Sequence, residues 1–377
     1  MKLRYIAYIR LPTEKAHGFQ IMSMCSAFAR AGAEVELLVP TRATPIDKDP
    51  FEYYGVPKNF TIRRIAAPQP RDFSLSSLSR LSYLWARFVF AWRALRDARR
   101  RPADMYYHRD EIVFCAFGRA GLRGVWEVHD MPRHLSRYAK ALDQSKLVVA
   151  ITEGLKRALV SEGVAPELVT VEPDGVDVQR FATAASEGVR HLLGITQDDV
   201  VVSYIGSLLP WKGVPTFIDA AAGLPASAYI LVVGGEGAQL EAIRGDMKKN
   251  SVRGQAIGRV DPSAVPEYFA ASDVIVIPNS AATKISREYT SPLKLFEALA
   301  AGKAIVASDI PSLREVLDDD TAIFVPPDDP AALRRALTRL ASDGAKRAHL
   351  AARAKECAAR YDWTARAKRI LARLSQV

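Results

Sequence analysis

The chain has 377 residues, 49% of them apolar and 25% charged, with a formal charge of +10 and three cysteines. That length suits two cores better than one, the composition is that of a soluble globular protein, and no apolar run reaches the roughly 20 residues of a membrane-spanning helix. Cys25, Cys115 and Cys357 stand too far apart for a zinc site or a disulfide framework, and the basic excess favours an anionic partner without choosing among nucleotide, nucleic acid and acidic membrane.

In chain order, Leu3–Ile9 reads as a first strand rather than a secretory signal, because no long apolar region or small-residue cleavage site follows Met1-Lys2. A cytoplasmic protein, able to touch the inner membrane face, is expected. A loop at Leu11–Phe19 and a helix near Phe19–Ala31 follow, with Gly32 as the stop signal before a strand at Glu34–Val39. Between Phe73 and Pro102 stand seven arginines, one aspartate and six aromatics. There Leu78, Leu81, Trp85, Phe88, Trp92 and Leu95 recur at helical spacing, with most arginines off that stripe. The stripe is expected to pack on the N-terminal sheet; the alternative is a helix lying on an anionic membrane. Strand-like residues from Val125 end at His129-Asp130, and Leu147–Ile151 reads as a strand before a helix at Glu153–Glu162.

A turn-rich segment near Pro173–Gly188 marks the expected boundary between a first domain, 1–178 with the tail 361–377, and a second, 179–360. Strands then follow at Val200–Ile205, Ala228–Val233, Gln255–Ile257, Val274–Ile277, Ala304–Ala307 and Ala322–Val325. The helices between them lie near Gly213–Ala222, Gln239–Lys249, Val265–Ala271, Pro292–Ala301 and Ser312–Leu317. Such alternation predicts parallel sheets covered on both faces, with ligands beyond the carboxyl ends of the strands.

The most informative segment follows one of those strand ends. Pro278 closes the strand, a polar loop runs to Thr290, and Ser291-Pro292-Leu293-Lys294 opens a helix that Gly302 stops. Ser291 is the expected N-cap and Pro292 the first helical residue. The free N–H groups of that helix start, with Lys294 beside them, form an anion site. Glu297, a turn on, suits paired ribose hydroxyls better than a phosphate.

The run SPLKLFEALAAGKAIVASDIPSLREVL, with Ala271–Pro278 before it, closely resembles the signature of family 4 glycosyltransferases. The resemblance covers Val200–Val325 well and is patchier in the N-terminal half. It implies the GT-B fold: two doubly wound Rossmann-like domains facing across a cleft, with the C-terminal helix crossing back to the first. It also implies a retaining enzyme with a nucleotide-diphosphate sugar as donor and no metal or other cofactor. Glu297 is then the second acid of the E-x7-E element and holds the donor ribose, while backbone groups at Leu293 and Lys294 meet the diphosphate. The first acid falls at position 289, where this chain has Tyr289; Glu288 stands one residue early. Either Glu288 serves from a shifted loop, or Tyr289 and Thr290 meet the sugar.

Three further segments follow strands. Gly206-Ser207 to Lys212-Gly213 looks like the family's diphosphate-clamping loop, with Ser207 where a basic residue is common, so that the clamp rests on Lys212 or borrows Arg259 or Arg287. Gly234-Gly235-Glu236-Gly237 is no full dinucleotide fingerprint; it and Gly258-Arg259-Val260 are expected to border the nucleotide. The family has a His facing the reacting sugar where His129 stands, and Glu127 and Asp130 flank it. A His beside carboxylates can be a base or a hydrogen-bonded structural residue. His17 and Gly18 are the expected acceptor contacts.

The expected function is therefore transfer of a sugar from a UDP- or GDP-linked donor to a hydroxyl, in glycan, polysaccharide or glycolipid synthesis, with a glycan or lipid-linked acceptor and no nucleic acid. His129, Glu288 and Lys212 are the expected catalytic residues. The alternatives are a sugar-nucleotide epimerase or hydrolase, and a non-catalytic nucleotide-sugar binder.

Overall fold

The computed structural model describes residues 1–70 and 76–376. Its chain divides into two compact units. One comprises Met1–Ile151, Leu155–Glu172 and the segment from Trp363; the other comprises Thr152–Gly154 and Pro173–Asp362. The change of unit falls at Glu172/Pro173, inside the turn-rich segment and ahead of the residue 178 expected.

The first unit runs β1 (Lys2–Ile6), α1 (Ala16–Arg30), β2 (Glu34–Thr41), α2 (Pro50–Tyr54), β3 (Thr61–Ala66), α3 (Ser76–Arg100), β4 (Met105–His108), α4 (Glu111–Arg119), β5 (Gly124–Val128), α5 (Ala139–Leu142), β6 (Ser145–Ala150), α6 (Glu153–Ser161) and β7 (Val169–Val171). Its seven strands pair in parallel in the order β3-β2-β1-β4-β5-β6-β7. The second runs α7 (Val178–Ala182), α8 (Glu187–Leu192), β8 (Val200–Ile205), α9 (Val214–Ala221), β9 (Ala228–Val233), α10 (Gly237–Lys249), β10 (Gly254–Ile257), α11 (Val265–Ala271), β11 (Val274–Ile277), α12 (Leu293–Ala300), β12 (Ala304–Ser308), α13 (Pro311–Arg314), β13 (Ala322–Val325), α14 (Pro330–Ser342) and α15 (Gly344–Ala358). Its six parallel strands are ordered β10-β9-β8-β11-β12-β13.

Both sheets are thus doubly wound, and each reverses its strand order once: between β1 and β4, and between β8 and β11. The buried, mostly apolar central strands of the second sheet explain its parallel arrangement. Every residue of β8, β9, β11 and β12 is buried, as a sheet with helices on both faces requires. At each reversal the loops after two neighbouring strands part to opposite faces, which opens a crevice for a ligand.

The last helix, α16 (Trp363–Ser375), belongs to the first unit and packs on α1. Its Arg366 is wholly buried. The guanidinium donates to the Glu172 carbonyl at 3.0 Å and to Glu127 Oε2 at 3.2 Å. One long-range ion pair therefore fixes this helix against the sheet.

The expectation for the aromatic stripe fails. Part of that segment, Phe73 to Leu75, lies outside the described residues. From residue 76, α3 buries Ala86, Phe90, Ala91, Ala94 and Ala98 against the sheet. Leu78, Leu81, Trp85, Phe88 and Trp92 point to solvent, and Leu95 is half-buried. The alanines win because a small-residue face brings the helix close to β1, β2 and β4. Polar anchors then fix its rotation: Arg87 pairs with Asp110 at 2.8 Å, and Asp97 is taken by Arg4 at 3.2 Å and by Arg63.

Candidate active site

In the second unit the reversal lies between β8 and β11, and the predicted segments gather around its carboxyl edge. Gly206 follows β8 with φ of 146°. A Cβ there would stand 3.0 Å from Nζ of Lys294, so the missing side chain is what lets the first turn of α12 meet this loop. Gly234 is tighter still: at φ 122° an added Cβ would lie 2.1 Å from the Gly206 carbonyl. Gly235 packs on Leu208. Two strand ends and a helix start are thereby pressed together by residues without side chains.

Lys294 is the central group. It is 6% exposed, its Nζ lies 3.5 Å from the centroid of the Tyr204 ring, and it has no hydrogen-bond partner. Burial, then the nearby Lys212, push its amine well below the usual lysine range, against a raising influence of Glu297. Lys212 is also buried, its Nζ 3.8 Å from the Trp211 ring centroid, and burial lowers it to about 7. Glu297 moves the opposite way. Burial raises its carboxyl to about 7, though Arg180 and Lys294 pull it down. The side chain of Asn279, just past β11, is wholly buried with neither amide atom partnered. Lys294 and Asn279 thus bring buried polar atoms without a protein partner to one sheet edge, where a ligand can bond to them.

The helix start departs from expectation in detail. The N-cap of α12 is Pro292, not Ser291, and no side chain caps it. Ser291 Oγ instead accepts the Asp174 N–H at 2.9 Å, which ties the segment after Pro173 to the helix start. The first N–H groups, at Leu293 and Lys294, have no acceptor within the helix by its geometry. Gly302, at φ 60°, closes the other end as expected, where Lys303 N–H bonds the Ala298 carbonyl at 3.2 Å.

The loop before α12 contains a π-helical turn, Ile285–Tyr289. A π turn takes one residue more than an α turn, and it stands where the spacing to Glu297 is one residue long. Glu288 pairs with Arg287 at 3.0 Å, and its carbonyl accepts the Thr152 hydroxyl at 2.9 Å. Tyr289 and Thr290 are buried. Ser207 is exposed, its carbonyl accepting the Tyr204 hydroxyl at 2.5 Å. Arg259 pairs with Glu236 at 3.1 Å, and Val260 packs on the core of this unit. Arg180 is a group the sequence did not offer. It bonds the Pro262 carbonyl at 2.7 Å and is the counter-charge that acts most strongly on Glu297.

In the first unit the reversal between β1 and β4 opens a cavity of about 220 Å³. Ala7–Ile9 from the end of β1, His17, Arg87, Arg109, Asp110 and Glu111 line it. Burial, Arg109, Lys15 and His129 lower His17 to about 4, which keeps the ring neutral. Gly18 serves packing, since an added Cβ would stand 2.2 Å from the Tyr54 hydroxyl. That hydroxyl accepts the Thr13 N–H at 2.8 Å and donates to the Thr13 carbonyl at 2.7 Å.

His129 follows β5. Its Nε2 lies 2.6 Å from Oε1 of Glu127, a carboxylate with no exposure. Gln20 donates to the same oxygen at 2.6 Å; the Tyr107 hydroxyl and Arg366 hold the other. Burial alone would raise this carboxyl, but Arg366, then His129 and Arg109, hold it well below the usual range. Glu127 is thus a fixed anion that orients the imidazole. Asp130 is exposed at the strand end, its carboxylate accepting the Met131 N–H at 2.8 Å.

Comparison with known proteins settles the family. The profile described as Glycosyltransferase Family 4 matches residues 18–180, and that described as Glycosyl transferases group 1 matches residues 189–357. The chain belongs to glycosyltransferase family 4. Among curated relatives, this family 4 chain is 32% identical over 222 residues to a phosphatidyl-myo-inositol mannosyltransferase of Mycolicibacterium smegmatis, a match covering 57% of this chain and 53% of that protein. It is 27% identical over 229 residues to a D-inositol 3-phosphate glycosyltransferase of Xylanimonas cellulosilytica, covering 58% and 53%. The chain thus spans about half the length of the curated relatives it matches. Among solved structures, Anabaena HepE in complex with UDP and glucose shares the fold with a TM-score of 0.77 at 20% identity over the whole of both chains. Sucrose-phosphate synthase from Thermosynechococcus elongatus does so with 0.75 at 19%, covering 100% of this chain and 98% of that one. The two-unit parallel α/β architecture is that of the GT-B glycosyltransferases.

Proposed function

We propose that this family 4 chain is a retaining glycosyltransferase that moves a sugar from a UDP- or GDP-linked donor to a hydroxyl acceptor in glycan, polysaccharide or glycolipid synthesis, and that it needs no metal ion for this. The observation that carries the reading is Lys294: a buried amine with no hydrogen-bond partner, set beside Gly206 at the open start of a helix. A diphosphate supplies the two negative charges that Lys294 and Lys212 lack, and the helix start adds N–H donors. Glu297, a turn further on, accepts from the ribose hydroxyls. That HepE was solved with UDP and glucose supports the donor class.

In the proposed step the acceptor oxygen bonds to the anomeric carbon on the face that the diphosphate leaves. The sugar–phosphate C–O bond breaks with its electron pair going to the diphosphate. The acceptor proton passes to a diphosphate oxygen. Lys294 and Lys212 stabilise the charge that develops there. His129, held by Glu127, positions the acceptor in the first unit, where the cavity past β1 receives it.

Calorimetry with UDP, GDP and their glucose and mannose esters tests the donor assignment. Saturable binding of one series is expected, and Glu297→Ala should weaken it strongly. Unchanged affinity in that variant removes Glu297 from the site, and no binding to any of them ends the reading. Product release without an acceptor would point instead to a hydrolase or epimerase.

A further inference from the structure

Ten large apolar side chains are exposed among the described residues, and six of them lie on one helix: Leu78, Leu81, Tyr83, Trp85, Phe88 and Trp92 of α3. At 100° per residue, Leu78, Leu81, Trp85, Phe88 and Trp92 fall within one stripe about 80° wide and about 21 Å long. It lies on the side of the helix away from the alanine face. Apolar patches of this size do not persist on a soluble surface without a partner.

Charge says which partner. The same rotation places Arg96 and Arg99 in line with the stripe, with Arg93 and Arg100 beside them. The outward face therefore passes from aromatic to cationic along its length. Arg96 already lies over the Trp92 ring, 5.7 Å from its centroid. Asp97, the one acid of the helix, is drawn inward by Arg4 and Arg63. The outward face is left without a carboxylate. A protein partner would have to bury several arginine-rich turns against its own surface, and a second copy of this face would bring like charges together. A bilayer with acidic headgroups satisfies both ends at once: aromatic side chains enter the boundary between headgroup and acyl chain, and guanidiniums bind phosphate. No helix among the described residues is long and apolar enough to cross a membrane, so contact through this face is peripheral.

We infer that the outward face of α3 is a docking surface for an anionic lipid bilayer. The placement gives the docking a use. Arg87 of the same helix lines the cavity past β1, and Tyr83 packs on Tyr8 of its rim with ring centroids 5.6 Å apart. A helix seated on the bilayer therefore holds that cavity beside the headgroups. The inference does not depend on the transferase reading, because lipid docking and nucleotide binding are measured separately.

The test is flotation of the full-length protein with vesicles of phosphatidylcholine alone and of phosphatidylcholine enriched in phosphatidylglycerol. Binding to the acidic vesicles is expected to exceed binding to the neutral ones on the order of tenfold or more and to fall as salt is raised. It should be accompanied by a blue shift of tryptophan emission from Trp85 and Trp92. The triple variant Trp85→Ser, Phe88→Ser, Trp92→Ser should lose binding at every salt concentration. Arg93→Gln, Arg96→Gln, Arg99→Gln should lose the preference for acidic lipid. All six positions are exposed, and an unchanged melting temperature and circular dichroism spectrum verify that the variants fold. The proposal is overturned if the wild type does not float with acidic vesicles at low salt, or if the serine variant floats as the wild type does. A concentration-dependent dimer, abolished by the serine variant in protein that ignores vesicles, overturns it in favour of a homodimer face.

Discussion

The two crevices, one at the strand-order reversal of each sheet, differ in how they treat charge. Past β1, β4 and β5, the buried acid and the arginine of α3 have their counterparts in place. Glu127 has Arg366 and His129, and Arg87 has Asp110. Past β8 and β11, Lys294 has no hydrogen-bond partner, Lys212 stacks on a ring, and burial raises Glu297 to about 7. The first crevice is nearer to charge balance and suits a neutral, hydroxyl-bearing ligand. The second is electrostatically unfinished and suits a polyanion. The acceptor and the nucleotide diphosphate proposed above divide along that line.

Removing a buried charge should therefore have opposite effects in the two places. Arg366→Met leaves Glu127 buried without its main counter-charge, and a loss of about 3–5 kcal/mol in folding stability is expected, read by urea denaturation. Lys294→Met removes a buried amine that has no hydrogen-bond partner and should leave the empty protein as stable as before or more so. Its nucleotide-diphosphate affinity should nonetheless fall by about 2–5 kcal/mol in calorimetry. If Lys294→Met unfolds the protein, or Arg366→Met does not weaken it, the contrast is lost. His129→Ala should spare donor affinity while reducing turnover tenfold or more, about 1.4 kcal/mol or above. Normal turnover removes His129 from the reaction.

The smallest effect concerns pH. Glu297 is raised to about 7 in the folded protein from the ordinary 4.5. Between those values the native state keeps a proton that the unfolded chain has released. Stability from this group is thus fully present below about 4.5 and lost as pH rises towards 7. Glu297→Gln should flatten that fall relative to the wild type when urea midpoints are compared across the window. Lys212 has the reverse sign. With a folded value of about 7 against the ordinary 10.5, its ionisation weighs on the fold below 7, and that burden lifts as pH rises to 10.5. A Glu297→Gln profile parallel to the wild type would show that the carboxyl is ionised in the empty site.

Much of this is legible locally. The strands of the second unit announce themselves because most are short, largely apolar runs rich in Val and Ile, and four of the six match the sequence reading residue for residue. The first sheet is harder to read. β3 (TIRRIA) and β4 (MYYH) carry charge or aromatic hydroxyls, so apolar pattern alone does not mark them. Ser291 misleads for a different reason: a serine before a proline is a cap by statistics, but here a backbone N–H at Asp174 claims its oxygen. Arg180 and Asn279 give no signal, since an arginine in a short helix and an asparagine after a strand are ordinary in isolation.

The chain's own order of residues decided that there are two parallel α/β units, where the strands end, and that a helix opens at Pro292 with a lysine and a glutamate in its first turns. Those features depend on neighbours a few positions away, whose sterics and hydrogen bonds act wherever the segment is placed. Packing decided the rest. It turned the alanines of α3 inward and its tryptophans outward, brought Arg366 across 239 residues to Glu127, and left Lys294 buried beside Gly206 without a partner. Burial and charge compensation are properties of groups that meet only after folding, so no local pattern carries them.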